Sequence, residues 1–146
     1  MAFSRHFYPE YNFAFTQCYG IVDDNSLRVH ILSFNIEARS MQNIRELADV
    51  RRLENASKVT VQGLVELAEL GKERAAGRNG LLAIVVPEIP LIEKLARLYG
   101  SAIAGHKKAI RIFLKAGDAL HWLGYEDPEA DKLLRFINTN RVKLHI

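Results

Sequence analysis

Ile44-Arg45-Glu46-Leu47-Ala48-Asp49-Val50-Arg51-Arg52 is the stretch whose reading decides the fold. Ile44, Leu47, Ala48 and Val50 make a largely apolar run of strand length, with Asp49 inside it and the charged end Arg51-Arg52-Leu53-Glu54 closing it. A parallel strand covered on both faces is nearly all apolar. An acid near the C-terminal end of such a strand stands where open α/β sheets place the crevice for a ligand or partner.

Working outward toward the C-terminus, Asn55 to Thr60 leads into an amphipathic helix with Thr60 as its N-cap. Val61, Leu64, Val65 and Ala68, with Leu67 beside them, make its apolar face, and Gln62, Glu66, Glu69 and Glu73 take the outer one. Gly71 weakens this helix by roughly 1 kcal/mol relative to alanine if it lies inside it. Gly77-Arg-Asn-Gly80 reads as a turn, and Leu81 to Val86, closed by Pro87, as a buried strand. Pro90 opens a helix with Leu91, Leu95, Leu98 and Ala102 as its stripe and Ile92, Ala96, Tyr99 and Ile103 beside it, and Gly105 ends it. His106-Lys107-Lys108 precedes a fourth core strand, Ala109 to Leu114. Asp118 is expected to cap a short helix, Ala119 to Leu123, stopped by Gly124. A last helix, about 128–138, is expected to start at Asp127-Pro128-Glu129, with Asp127 as its cap and Ala130, Leu133, Leu134 and Ile137 as its apolar face.

Toward the N-terminus, Phe3 to Tyr8 and Tyr11 to Val22 flank Pro9-Glu10 and read as an antiparallel hairpin, about 3–22. Asp23 to Ser26 offers helix caps, and Leu27, Ile31 and Phe34, widened by Val29, Leu32 and Ile36, form the apolar face of the helix that follows. His30 falls on or beside that face as a packed histidine. A hairpin followed by alternating helices and strands implies a mixed sheet, parallel beyond the hairpin, with right-handed crossovers. The 146 residues fit one α/β domain spanning 1–146.

The formal charge of +3 is small and not gathered into a block, so nucleic acid is not expected as a partner. The basic tail, Arg135 to His145, reads as a solvated end. One cysteine, Cys18, rules out a disulfide within the chain and points to a reducing, cytoplasmic compartment; among alternating aromatics it reads as a buried thiol. The N-terminus shows no apolar signal core, and no run approaches the ~20 apolar residues needed to cross a bilayer.

The search for chemistry is mostly negative. The sequence holds no GxGxxG, GxxxxGK[ST], GxSxG, HExxH or CxxC spacing, so no phosphate loop, nucleophile elbow or metal site is expected, and no cofactor. Asp23-Asp24 and Glu126-Asp127 stand where helix starts favour acids. Four groups remain. Asp49 with Arg51 and Arg52 reads either as a polar cluster at the crevice or as an ion pair closing the strand end. Thr60 to Gly63, including Gln62, reads either as an anion-attracting helix start or as a plain cap. Arg97 has Glu93 one turn before it, which accounts for it as a salt pair. Trp122 reads as core.

Glu46-Leu-Ala-Asp49-Val-Arg51, then Gly63-Leu64, Ala83-Ile-Val-Val-Pro87, Leu95-Ala-Arg97-Leu-Tyr99, Phe113 and Ala119-Leu-His-Trp-Leu-Gly124 together resemble the small bacterial STAS-like proteins, relatives of the anti-sigma-factor antagonists. The resemblance spans roughly Phe13 to Gly124 and implies a mixed sheet with helices packed against it. It also implies a regulatory, non-enzymatic module that binds a protein partner. In the antagonists a phosphorylatable serine or threonine precedes a Gly-Leu pair; here Gln62 and Val61 hold the matching places and neither can carry phosphate, while Thr60 lies a step or two away. The same topology is loosely shared with Sec14-type lipid-binding domains, for whose full pocket this chain is short.

The expected function is therefore a protein-interaction module whose face joins Asp49, Arg51, Arg52, Thr60, Gln62 and Arg97. The alternative is a module binding a small anionic metabolite, nucleotide or lipid at the same place. A hydrolase or transferase is the remote third reading. The aromatic hairpin offers an edge for a homodimer.

Overall fold

The computed structural model of the chain describes residues 3–75, 80–103 and 109–141. Among these, five strands form one sheet in the order β1-β2-β3-β4-β5: β1 (Phe3–Tyr8), β2 (Phe13–Asp23), β3 (Arg45–Lys58), β4 (Leu81–Val85) and β5 (Ala109–Phe113). β1 pairs antiparallel with β2, and the remaining pairs are parallel. The hairpin turns through a 3-10 helix at Pro9–Tyr11, and Asn12 closes it in the left-handed region at φ 52°. Asparagine tolerates that conformation better than most residues.

Helices cover both faces. On one side lie α1 (Asp24–Glu37), α2 (Val61–Ala75) and α3 (Pro90–Ile103); on the other lie α4 (Ala116–Trp122) and α5 (Glu129–Asn140). The division follows from the period-2 alternation of the strands. Phe13, Phe15, Leu47, Ala83 and Val85 face α4 and α5, where they pack with Leu120, Leu123, Leu133 and Ile137. Their neighbours Leu82, Ile84 and Val86 turn the other way, toward Ala96 and Tyr99 of α3. Tyr125, just after α4, ties this second layer to the hairpin by donating its hydroxyl to the Tyr11 carbonyl oxygen at 2.6 Å. Burial raises the Tyr125 phenol to about 12, against the opposing field of Arg45.

Several elements differ in detail from the sequence reading. β3 does not end at Arg52; Asn55 to Lys58 belong to the strand rather than to a lead-in. The register with β2 slips at three places, and at each β3 carries one extra residue: Gln17 to Tyr19 spans Asp49 to Arg52, Gly20 to Ile21 spans Leu53 to Asn55, and Ile21 to Asp23 spans Asn55 to Lys58. These are β-bulges, which bend and coil a strand. They replace the two-residue alternation, so that Val50, Leu53, Ala56 and Val59, three apart, all face the α1–α3 side.

Helix faces are also rotated from those expected. In α1, Val29, Leu32 and Ile36 are exposed and do not widen the core face; His30 and Phe34 are buried. In α2 the buried residues are Leu64, Leu67 and Ala68, with Val61 and Val65 exposed. In α3 Ile92 is buried while Leu91 and Leu98 are exposed. An apolar residue count fixes a helix but not its rotation when both flanks are apolar. α4 starts at Ala116 with Lys115 as N-cap, so Asp118 lies inside its first turn instead of capping it. α5 takes Pro128, not Asp127, as its N-cap, and Asp127 stands 3.6 Å from the His121 ring. Asp23 does cap α1, in a reciprocal box with Ser26. Gly71 lies within α2. The turn residues 77–79, the stop at Gly105, the segment His106-Lys107-Lys108 and the end of the basic tail lie outside the described residues.

Candidate functional site

Asp49 is fully buried in the middle of β3, level with Val85, the last residue of β4. It accepts from the Arg51 backbone N–H at 3.0 Å, from Nε at 2.9 Å and from Nη2 at 2.9 Å. Arg51 lies in the first bulge, where the β3 register skips it against β2, and its N–H turns to the Asp49 side chain. The carboxylate therefore satisfies a backbone donor in the bulge, and the guanidinium neutralises the carboxylate. Its hydrogen bonds to Asp49 hold Arg51 above the ordinary guanidinium range, against burial. Arg141, after α5, joins from the same side: burial first, then the fields of Arg52 and Arg51, lower its pKa. Arg141 belongs to the basic tail that the sequence reads as a solvated end.

Thr60 caps α2. Its hydroxyl accepts from the Gly63 N–H at 2.9 Å and donates to the Asp24 carboxylate at 2.6 Å, which also accepts from the Thr60 N–H at 2.8 Å. Asp24, the first residue of α1, thus places its own carboxylate over the start of α2. Gly63 leaves room there, since a Cβ at that position would displace the Asp24 carboxylate from its hydrogen bonds to Thr60. The seat that helix starts offer to anions is filled from within the chain. Gln62 reaches Glu66 at 3.3 Å, and Arg97 pairs with Glu93 at 2.7 Å on the exposed side of α3. Asp49 and Arg51, sharing the Leu47 face, lie on the α4–α5 side of the sheet, and Thr60, Gln62 and Arg97 belong to the opposite helical layer.

That helical layer holds what the sequence did not reveal. Between the sheet and α1–α3 lies a cavity of about 140 Å³. Its lining is apolar except at Cys18, His30, Glu46 and Tyr99. Val50, Leu53 and Ala56 come from the bulged half of β3, Val59 from just beyond its end, Leu64 and Leu67 from α2, and Leu95 and Ala96 from α3. Glu46, 3% exposed, accepts at Oε2 from the Thr16 hydroxyl at 2.9 Å. His30 stacks on Phe3, with centroids 4.4 Å apart and planes within 3°. Arg5 reaches His30 Nδ1 at 2.6 Å. A guanidinium only donates, so Nδ1 accepts and the ring proton sits on Nε2. Burial, reinforced by Glu46 and Asp49, pushes the Cys18 thiol far up, so it is neutral and not a nucleophile. The signal in the sequence was Glu46 itself, an acid two residues before Ala48 on a face that is otherwise apolar.

No group of three or more His, Cys, Asp or Glu residues suited to a metal ion occurs among the described residues. No described helix is long and apolar enough to cross a membrane.

The arrangement of a β1–β2 hairpin, parallel β3 to β5 and helices on both faces has a solved counterpart. An uncharacterised protein of the DUF3478 family with a SpoIIAA-like fold, from Shewanella loihica PV-4, superposes with a TM-score of 0.57 over 84% of this chain and 92% of that one, at 15% identity. The fold is SpoIIAA-like. This is the mixed, STAS-like sheet that the sequence resembles. No family model and no curated protein sequence matches the chain. At 15% identity the SpoIIAA-like counterpart speaks to architecture alone.

Proposed function

We propose that this chain is a non-catalytic binding module whose ligand is a small, largely apolar molecule held between the sheet and α1–α3. The observation that carries this reading is the cavity of about 140 Å³ with its apolar wall. An apolar cavity of roughly 150 Å³ stays dry and takes up benzene-sized molecules. A neutral, buried Cys18 supports binding over covalent chemistry, and suits a reducing cytoplasmic compartment. The anionic version of this reading finds less support, since Asp24 fills the start of α2, and Arg51 and Arg97 are paired with acids.

The test is a titration of the protein with benzene and indole, followed through the methyl resonances of Leu64, Ile84 and Leu95. Shifts confined to the lining, with a raised melting temperature, are expected; a ligand at 100 times its Kd adds about 2.7 kcal/mol. Ala96→Leu, which fills the space, should abolish the shifts. Lining resonances that stay fixed at the solubility limit of both probes would sink the reading.

A second reading, a protein partner, is favoured by one observation. Val29, Leu32 and Ile36 are 56%, 45% and 65% exposed on one face of α1. Pull-downs with the native chain and with a Val29→Glu/Ile36→Glu variant, which leaves the core untouched, decide it. A partner retained equally by both would remove that face from consideration.

A further inference from the structure

The first bulge of β3 does more than engage Asp49. Val50 and Leu53 both line the α1–α3 cavity, so the two residues between them, Arg51 and Arg52, turn to the α4–α5 side of the sheet. Arg52 stands opposite Tyr19 there. Bulges commonly re-aim side chains in this way. Asp49 is level with Val85, and Val85 with Phe113, the last residues of β4 and β5. Arg51 and Arg52 therefore stand just beyond the carboxyl ends of these parallel strands, where open α/β sheets seat ligands. Both are half-buried, and so is Arg141, which follows α5. Asp49 neutralises Arg51, but neither Arg52 nor Arg141 has an ion pair among the described residues. Glu54, the next acid along β3, is exposed and pairs with neither. Burial first, then the fields of Arg52 and Arg51, act against the charge on Arg141, and Asp49 opposes them. Three guanidiniums thus share one carboxylate. Half-buried cations without a counter-ion are unfavourable, and an arriving anion offsets that cost.

We propose that Arg52 and Arg141, backed by Arg51, form a site for a phosphate dianion, carried either by free phosphate or by the end of a small organic phosphomonoester. The charge fits, since three cations less one carboxylate leave two positive charges for the ligand. A guanidinium presents its donors as a planar fork that matches pairs of phosphate oxygens. Arg51 gives Nε and Nη2 to Asp49 and is held in place by it, which leaves Arg52 and Arg141 to the ligand. This site is separate from the start of α2, whose seat for an anion Asp24 fills. It lies across the sheet from the apolar cavity and stands whether or not the cavity holds a guest.

The experiment titrates the full chain with inorganic phosphate, phenyl phosphate and benzoate near pH 7.5, where a phosphomonoester carries close to two charges. Low ionic strength keeps screening small. The readout is the Nε–H resonances of Arg52 and Arg141. Both phosphates should shift them at millimolar concentration, and benzoate, a monoanion, should bind at least about tenfold more weakly than phenyl phosphate, a factor worth 1.4 kcal/mol. Tighter binding of phenyl phosphate than of inorganic phosphate identifies an organic monoester as the source; the reverse, or equality, identifies free phosphate. Arg52→Gln and Arg141→Gln should each weaken phosphate binding about tenfold, as loss of a charge-assisted bond does. Where one of them does not fold, the other serves. Arg97→Gln, in the opposite layer and paired with Glu93, should leave binding unchanged. The proposal is overturned if neither phosphate shifts the two resonances, or if benzoate binds as well as phenyl phosphate. Binding indifferent to the folded Arg52 and Arg141 variants, or weakened equally by Arg97→Gln, also overturns it.

Discussion

Asp49 and Arg51 show how a charged pair inside an apolar strand earns its place. The carboxylate is fully buried, and it holds both a guanidinium and the backbone N–H of a residue that lies in the β-bulge. Asp49→Asn keeps the shape but gives up the charge-assisted bonds, and should cost about 3 kcal/mol in urea unfolding, the range for breaking a buried pair by losing one partner. Gly63 makes a second case. Alanine at a helical glycine usually stabilises by about 1 kcal/mol. Gly63→Ala should instead destabilise, because its methyl meets the Asp24 carboxylate. In the background of Asp24→Ala the sign should reverse, which a double-mutant cycle reads directly. Arg5 holds Glu37 from β1. Desolvation pushes the Glu37 carboxyl up, but the Arg5 bond and field, with the Ser33 hydroxyl, more than offset it, leaving the group below its usual 4.5. A depressed carboxylate stabilises the fold at neutral pH, and that contribution disappears as acid carries the pH down through the lowered value. An NMR titration should place the Glu37 midpoint below 4.5, and Arg5→Met should move it up.

Among the elements, legibility tracked periodicity. Phe13 to Gly20 alternates bulky with small or polar residues, Leu81 to Val86 is all apolar, and β2 and β4 lie on these stretches to within a few residues at their ends. Beyond Arg52, β3 carries no period-two signature because its bulges change the spacing of inward residues from two to three. Read at period three, Val50, Leu53, Ala56 and Val59 become as regular as any strand. Apolar periodicity marks the helices but does not fix their rotation where both flanks are apolar, as in α1, where Leu27 and Phe34 oppose Val29 and Ile36. The expected site was legible only in pieces. Asp49–Arg51 and Glu93–Arg97 are close in sequence and pair as spacing predicts. Asp24 over Thr60, 36 residues apart, is a long-range contact, and Arg141 feels the field of Arg51 across the fold; no local pattern points to either. The exposed face of α1 carries its own expectation: Leu32→Glu should leave the unfolding free energy within about 0.5 kcal/mol, as surface changes do.

For the molecule as a whole, the two helical layers are unequal. The α4–α5 side packs Phe13, Phe15, Leu120, Leu123, Leu133 and Ile137 to near-zero exposure, while the α1–α3 side leaves a partly open pocket of about 140 Å³. Interiors are ordinarily filled like organic crystals, so a void forfeits dispersion contacts along its wall. Ala96→Leu should therefore raise the midpoint of urea unfolding even as it removes ligand uptake, a pairing of stability with function that distinguishes a binding cavity from a packing fault. The void also makes the fold compressible. Hydrostatic pressure favours whichever state occupies less volume, and unfolding admits water to space the native chain leaves empty, at roughly 20–100 mL/mol for ordinary domains. Under several kilobars the α1–α3 side should be the first to yield, its amides exchanging with solvent while those beneath α4 and α5 remain protected, and a bound guest should harden it against the squeeze.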